Sequence, residues 1–180
     1  MRISPMTSGP GDRRPDVTVA GVGNWLVSQD RVGPRVLEMA AGRYGDDVEL
    51  ADIGSGGLAL LDHLHGQKLL VVVDACLGLG RPGEVVVVDE APGAAMAAGV
   101  SAHQIGPAEV LLIARNLQPE TMPERTVLLL AETGELDESQ LDTACERVMA
   151  ELDALIREAR SAPAATQPRI GGGCARQQGA

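Results

Sequence analysis

The sequence predicts an α/β fold, a three-layer α/β/α sandwich around a mainly parallel sheet of about five strands. Three observations lead there. The run Leu69 to Val73 is apolar at every position and ends in Asp74, which is how a strand covered on both faces reads. Short β-rich runs alternate with amphipathic helical stretches along the chain. A core without any Phe, and with one Trp and one Tyr, must be built from Val, Leu, Ile, Ala and Met, as suits such folds.

In chain order, residues 1–15 are rich in Pro, Gly, Ser and charge without periodicity and are expected to form a disordered lead-in. The folded domain is expected over 16–160. Val17, Val19 and Ala20 open it as a first strand, and Val32, Val36, Met39 and Ala40 then lie on one helical stripe, with Pro34 tolerated in the first turn. Tyr44-Gly45 is read as the end of that helix. Val48, Leu50 and Ile53 alternate as a second strand and deliver the chain into the turn Gly54-Ser55-Gly56-Gly57. A short helix is expected next, with Leu58, Leu61 and Leu64 buried and Asp62, His63 and His65 facing water.

The central strand Leu69 to Asp74 follows. The turn Arg81-Pro82-Gly83 is too compact for a crossover helix, so the strand Glu84 to Asp89 is expected to run antiparallel at an edge or after a tight connection. Ala91 to Val100 reads as loop and partial helix. A sheet-packing helix is marked by Val110, Ile113, Ala114 and Leu117, with Pro107 near its start. Val127 to Leu130 is the last strand, Glu132 to Glu135 a turn, and Asp137 with Gln140 a capping box. The final helix carries Leu141, Ala144, Cys145, Val148, Leu152, Leu155, Ile156 and Ala159 at spacings of three and four. Residues 161–180 turn to Ala, Pro, Gln and Gly and are expected to be a disordered tail.

Composition excludes several functions. A formal net charge of -10 leaves no basic surface for phosphates, which argues against nucleic acid and anionic membranes as partners. Cys76, Cys145 and Cys174 lack the spacing of a disulfide framework or zinc knuckle, and no apolar run approaches the ~20 residues of a membrane span. A reducing, cytoplasmic setting is expected.

Gly21-Val22-Gly23-Asn24 invites a dinucleotide-binding reading, but Leu26 stands where the third glycine would be and the helix starts too late to set its amino terminus on a pyrophosphate. These glycines fit better as a sharp turn with a close backbone approach, and Asn24 as a group bonding its own backbone. Ser55 lacks a nucleophile elbow, and Cys76 reads as a small buried thiol. The favoured constellation is Asp30, Asp74 and His103. Each falls at the carboxyl end of a strand or in the loop after it, where α/β sheets gather their ligands. Two carboxylates and an imidazole suit a divalent transition metal.

At these residues the chain resembles the nickel-iron hydrogenase maturation endopeptidases, which clip a carboxyl-terminal extension from the hydrogenase large-subunit precursor after nickel is loaded. The resemblance runs from Val17 to about Ile156 and rests on GVGNWLVSQDRVG, GSGGLALL, VVVDA with a P-G turn soon after, and SAHQIG, in that order. It implies that Asp30, Asp74 and His103 are the metal ligands, that Asn24, Ser55 and Gly56 line the substrate cleft, that nickel is presented by the precursor, and that no cofactor is tightly bound. The chain departs from the pattern at Gln29, where a second acidic residue is usual, and at LLLAETGEL near the last strand. The departure at Gln29 keeps a second reading open, a non-cleaving nickel-sensing chaperone or checkpoint of hydrogenase assembly. A third, an unrelated nucleotide-binding protein, would show nucleotide-induced thermal stabilisation.

Overall fold

The computed structural model describes residues 14–89 and 106–162. The expectations for Ala91 to Val100, for His103 and for most of both termini lie outside them. Five strands, β1 (Val17–Val22), β2 (Val48–Gly54), β3 (Leu69–Cys76), β4 (Val85–Asp89) and β5 (Arg125–Glu132), form one sheet in the order β2-β1-β3-β5-β4. The first four in that order run parallel, and β4 pairs antiparallel with β5 at the edge. The fold class and the antiparallel edge strand are therefore as the sequence predicts.

The period of two along each strand splits the core. Val17, Val19, Leu69, Val71, Val73, Val127 and Leu129 face one layer, made by α1 (Val32–Ala40) and α3 (Glu138–Ser161). Ala20, Val22, Leu70, Val72, Leu128 and Leu130 face the other, made by α2 (Pro107–Leu117) and the 3-10 segment Gly57–His63. Leu69 through Val73 are buried without exception. Helix α3 starts at the expected capping box: the Asp137 carboxylate accepts from the Gln140 N–H and the Gln140 side chain accepts from the Asp137 N–H.

Four expectations are corrected. Helix α1 stops at Ala40, before Tyr44-Gly45, and Tyr44 instead donates its hydroxyl to Asp153 of α3 at 2.6 Å. In the segment Gly57–His63 the inward residues are Gly57 and Leu60, while Leu58 is 54% exposed and Leu61 half-buried; Leu64, just past the segment, is buried as expected, so packing and not spacing selects the inward residues. His63 and His65 are half-buried and bonded, His63 to Glu49 at 2.8 Å and His65 to the Pro15 carbonyl at 3.1 Å. In α2 the sheet-facing residues are Ala108, Val110, Leu111 and Ala114, and Leu117 is exposed, because this helix is apolar on several faces and only one meets the sheet.

The end of β1 is unusually crowded. A Cβ on Gly33 would stand 2.1 Å from the Val22 carbonyl oxygen, and one on Gly21 would stand 2.6 Å from Leu37 and 2.8 Å from the Gly33 carbonyl. Helix α1 thus rests backbone-on-backbone against β1. Alanine inside a helix ordinarily gains about 1 kcal/mol over glycine. Gly33→Ala should nevertheless lower the melting temperature by about 5 °C or more, because no flexible side chain can yield, whereas Gly56→Ala, with open space around it, should change little. Thermal unfolding of the two variants checks the contrast.

Candidate functional site

The site stands where β1, β2 and β3 end. The chain leaves β1 through Gly23 at φ +137°, and a Cβ there would meet the Asp30 carbonyl oxygen at 2.1 Å, so only glycine lets the first loop fold down on the strand. That loop is closed by backbone bonds: the Asn24 N–H donates to the Asp30 carbonyl at 2.8 Å and the Asp30 N–H to the Val27 carbonyl at 2.9 Å. The Asn24 side chain accepts from the Leu26 N–H at 2.9 Å, the local bond expected of it. Gln29 reaches across to the β5–α3 turn and donates to the Gly134 carbonyl at 2.8 Å.

The second loop is joined to the first by the Gly23 N–H, which donates to the Gly54 carbonyl at 3.0 Å. Asp52 shapes the turn by accepting from the Gly54 N–H, and Ser55 and Gly56 emerge exposed beside it.

Asp74 lies on β3 opposite Leu130 of β5, one residue beyond the Gly21–Val73 pair of β1 and β3. By strand alternation it shares a face with Leu70, Val72 and Cys76, the face covered by α2. Its carboxylate accepts from the Ala75 N–H at 2.8 Å. Burial pushes its carboxyl up to about 7, against the pull of that N–H, and the charge of Asp30 pushes the same way. Burial also raises the Asp30 carboxyl. The Asp30 carboxylate, on the first loop, thus lies close enough to Asp74, on β3, for its charge to act there.

Asp30 and Asp74 thus stand toward the same end of the sheet, near enough for the charge of Asp30 to act on Asp74, with Asn24 and the Ser55-Gly56 turn on the adjoining loops. His103 lies outside the described residues, and among those described no three His, Cys, Asp or Glu side chains gather closely enough to hold a metal. Helix α2 returns the chain toward the start of β5, so its first residues stand at the end of the sheet that carries Asp74. His103 precedes Gly106, the residue before α2, by three positions.

Sequence reasoning missed Glu132. Read as a turn residue, it is the last residue of β5, 3% exposed, and its Oε2 accepts from the N–H groups of Leu79 at 2.8 Å and Gly80 at 3.3 Å. It holds the chain leaving β3 over the top of β5. Cys76 stands beside it in register, Sγ at 3.9 Å, and burial with the neighbouring carboxylate pushes its thiol up to about 12, which makes it a poor nucleophile. A buried glutamate in a run such as LLLAETGEL leaves a signal only in the strand extending past its apolar residues.

Comparison with known proteins agrees with this architecture. A family model for hydrogenase maturation proteases matches residues 34–160. The chain belongs to the hydrogenase maturation protease family. It is 32% identical over 173 residues to the hydrogenase expression/formation protein HupD of Bradyrhizobium diazoefficiens, covering 86% of this chain and 88% of that one. It is 34% identical over 99 residues to the hydrogenase 2 maturation protease of Escherichia coli, covering 53% of this chain. The matched stretch spans 60% of that E. coli relative and 50% of two Azotobacter relatives. Among solved structures, the hydrogenase maturating endopeptidase HybD from E. coli superposes with a TM-score of 0.69 at 27% identity, over 79% of this chain and 93% of HybD. The HybD protease of Thermococcus kodakarensis shares the fold, with a TM-score of 0.64 at 20% identity over 77% and 97%.

A family member with a carboxyl held near 7 should show it in its stability. The folded state keeps the Asp74 proton more tightly than an unfolded aspartate, whose value is about 3.9, so this contribution is complete below about pH 4 and is lost as pH rises through about 7. Asparagine does not titrate and can still accept from the Ala75 N–H. Asp74→Asn should therefore melt above the wild type at pH 8, by about 5 °C or more, with the gap closing toward pH 4. Melting curves that run parallel across this range would exclude the raised carboxyl.

Proposed function

We propose that this protein is an endopeptidase that removes the carboxyl-terminal extension of a nickel-iron hydrogenase large-subunit precursor once nickel has been inserted. The observation that carries the reading is the Asp30–Asp74 pair: two carboxylates at the carboxyl end of a parallel sheet, the inner one raised by burial and by its neighbour's charge. A divalent cation between them would relieve both penalties at once. With His103 as a third ligand, the donor set of two oxygens and one imidazole nitrogen suits a divalent transition ion. That ion is substrate: the precursor brings it, and its capture docks the scissile segment along the Ser55-Gly56 turn and Asn24.

Each residue then has a distinct task. Asp74, on a strand anchored on both faces, fixes the position of the ion, while Asp30 closes on it from a loop. Processing only loaded precursor follows directly, because without the ion a segment laid over the two carboxylates strips them of water with no cation to offset the cost.

A second reading, a checkpoint that senses nickel without cleaving, is favoured by Gln29. Its amide is engaged with the Gly134 carbonyl, so it serves the shape of the loop, and it supplies no carboxylate.

The test is a cleavage assay with the hydrogenase large-subunit precursor of the same organism, loaded with nickel or nickel-free. Wild type should release the extension only from loaded precursor. Asp74→Asn should lose at least tenfold in rate, the scale on which metal-site residues act, while Asp30→Glu should stay active. Cleavage of nickel-free precursor, or full activity in Asp74→Asn, would refute the mechanism. Loaded precursor bound but uncut by wild type would establish the checkpoint.

A further inference from the structure

Asp30 and Asp74 are carried by different elements, and both elements are fastened to one short stretch, Glu132-Thr133-Gly134, where β5 ends. On the Asp30 side, Gln29 donates its amide to the Gly134 carbonyl at 2.8 Å, and Arg31 pairs with Glu138 in the first turn of α3. Asp30 therefore sits between two residues that are both tied to the β5–α3 junction. On the Asp74 side, the Thr133 N–H donates to the carbonyl of Cys76, two residues beyond Asp74, at 3.1 Å, and the Glu132 side chain holds the N–H groups of Leu79 and Gly80. The Gly83 N–H donates to the Glu132 carbonyl at 2.8 Å, and Pro82 stands against Gly134, 3.2 Å from where a Cβ would be. Glu132 and Thr133 are themselves buried, so the stretch is a fixed post rather than a free turn.

We infer that Gln29 is a positioning residue of the site: its amide N–H, donated to the Gly134 carbonyl, fixes the loop that carries Asp30 to the same turn that holds the chain leaving Asp74. The inference rests on the function proposed above. The chemistry at position 29 calls for a donor. A backbone carbonyl only accepts; a glutamine amide supplies two N–H donors, and a carboxylate supplies none. Glutamate, which matches glutamine in length and shape, would set oxygen against oxygen at Gly134 and release the loop. It would also add a negative charge beside Asp30, which by Coulomb attraction alone should help to capture a cation. The two effects act in opposite directions on the capture of a nickel-loaded precursor, and one substitution decides between them.

The experiment measures KM and kcat for nickel-loaded hydrogenase large-subunit precursor with the full-length protein, Gln29→Glu, Gln29→Met and Asn116→Asp, and amide hydrogen exchange of each protein alone. Asn116 is the control: at the end of α2 that leads to β5 it donates its amide to the Leu112 carbonyl at 2.8 Å, so its variant loses a bond of the same kind and gains the same charge. Gln29 is exposed, and both of its variants should melt within about 2 °C of wild type. Both should raise KM by about tenfold, the scale on which groups behind metal ligands act, with kcat retained. A variant that had merely lost folded molecules would lower kcat and leave KM unchanged. Exchange at Asn24 and Asp30, whose N–H groups close the loop, should speed up by about tenfold in both Gln29 variants and stay as in wild type in Asn116→Asp. Raised KM with unchanged exchange would mean that Gln29 touches the precursor itself. A KM lowered or unchanged in Gln29→Glu would mean that charge, and not the donor, governs position 29, and an equal rise in Asn116→Asp would mean a general effect of charge. Each of these three overturns the inference and leaves the protease reading standing. If wild type binds loaded precursor without cutting it, the protease reading is refuted, and the same tenfold loss read in Kd supports the inference.

Discussion

Everything at the carboxyl end of this sheet depends on one contact, the backbone of α1 lying against the backbone of β1 at Gly33 and Val22. A side chain at Gly33 would hold the helix away from the strand, and the loop between them, which has to fold over Gly23, would lift with it. Asp30 rides on that loop. Its distance from Asp74 is therefore set by glycines that carry no chemistry themselves. The same crowding explains why the Gly-x-Gly turn so like a dinucleotide motif serves another purpose: its open backbone is filled by the chain's own Asp30 carbonyl, in the place a pyrophosphate would need.

Burial supplies the second half of the arrangement. β3 is sealed on both faces from Leu69 to Val73, and the first polar side chain after that run inherits the low dielectric surroundings of the strand. A carboxylate reached by a more exposed route would be solvated and indifferent to a partner. Here it is costly as an anion, and Asp30 adds to the cost.

Much of this was legible in the sequence, and the parts that were not share a cause. Asp74 could be found because an all-apolar strand has one meaning and its end is visible as a change of residue type. Asp137 and Gln140 could be found because a capping box is local. The placement of β5 between β3 and β4 could not, since periodicity reports which faces a strand buries and says nothing of which strand is its neighbour. Glu132 was hidden for the same reason: its partners, the N–H groups of Leu79 and Gly80, are more than fifty residues away in the chain. Leu58 and Leu117 were assigned to the core by spacing, whereas tertiary contact decides which residues face inward. Helix spacing puts His63 and His65 in water, whereas the 3-10 segment ends at His63 and both rings are held by bonds to Glu49 and the Pro15 carbonyl.

The order of the strands also shapes how the chain can assemble. β4 leaves the ribosome before β5, yet β5 is its hydrogen-bonding neighbour in the sheet, so Val85 to Val88 must wait while some forty further residues are made. Four consecutive valines are a hazard in an unfinished chain, since such segments pair readily with one another. Glu84 and Asp89 bracket them with like charge, a flanking arrangement that discourages association between nascent molecules. Once β5 docks, Arg125 at its start closes on Asp89, and the same carboxylate that kept the strand soluble becomes part of what fastens it to the sheet.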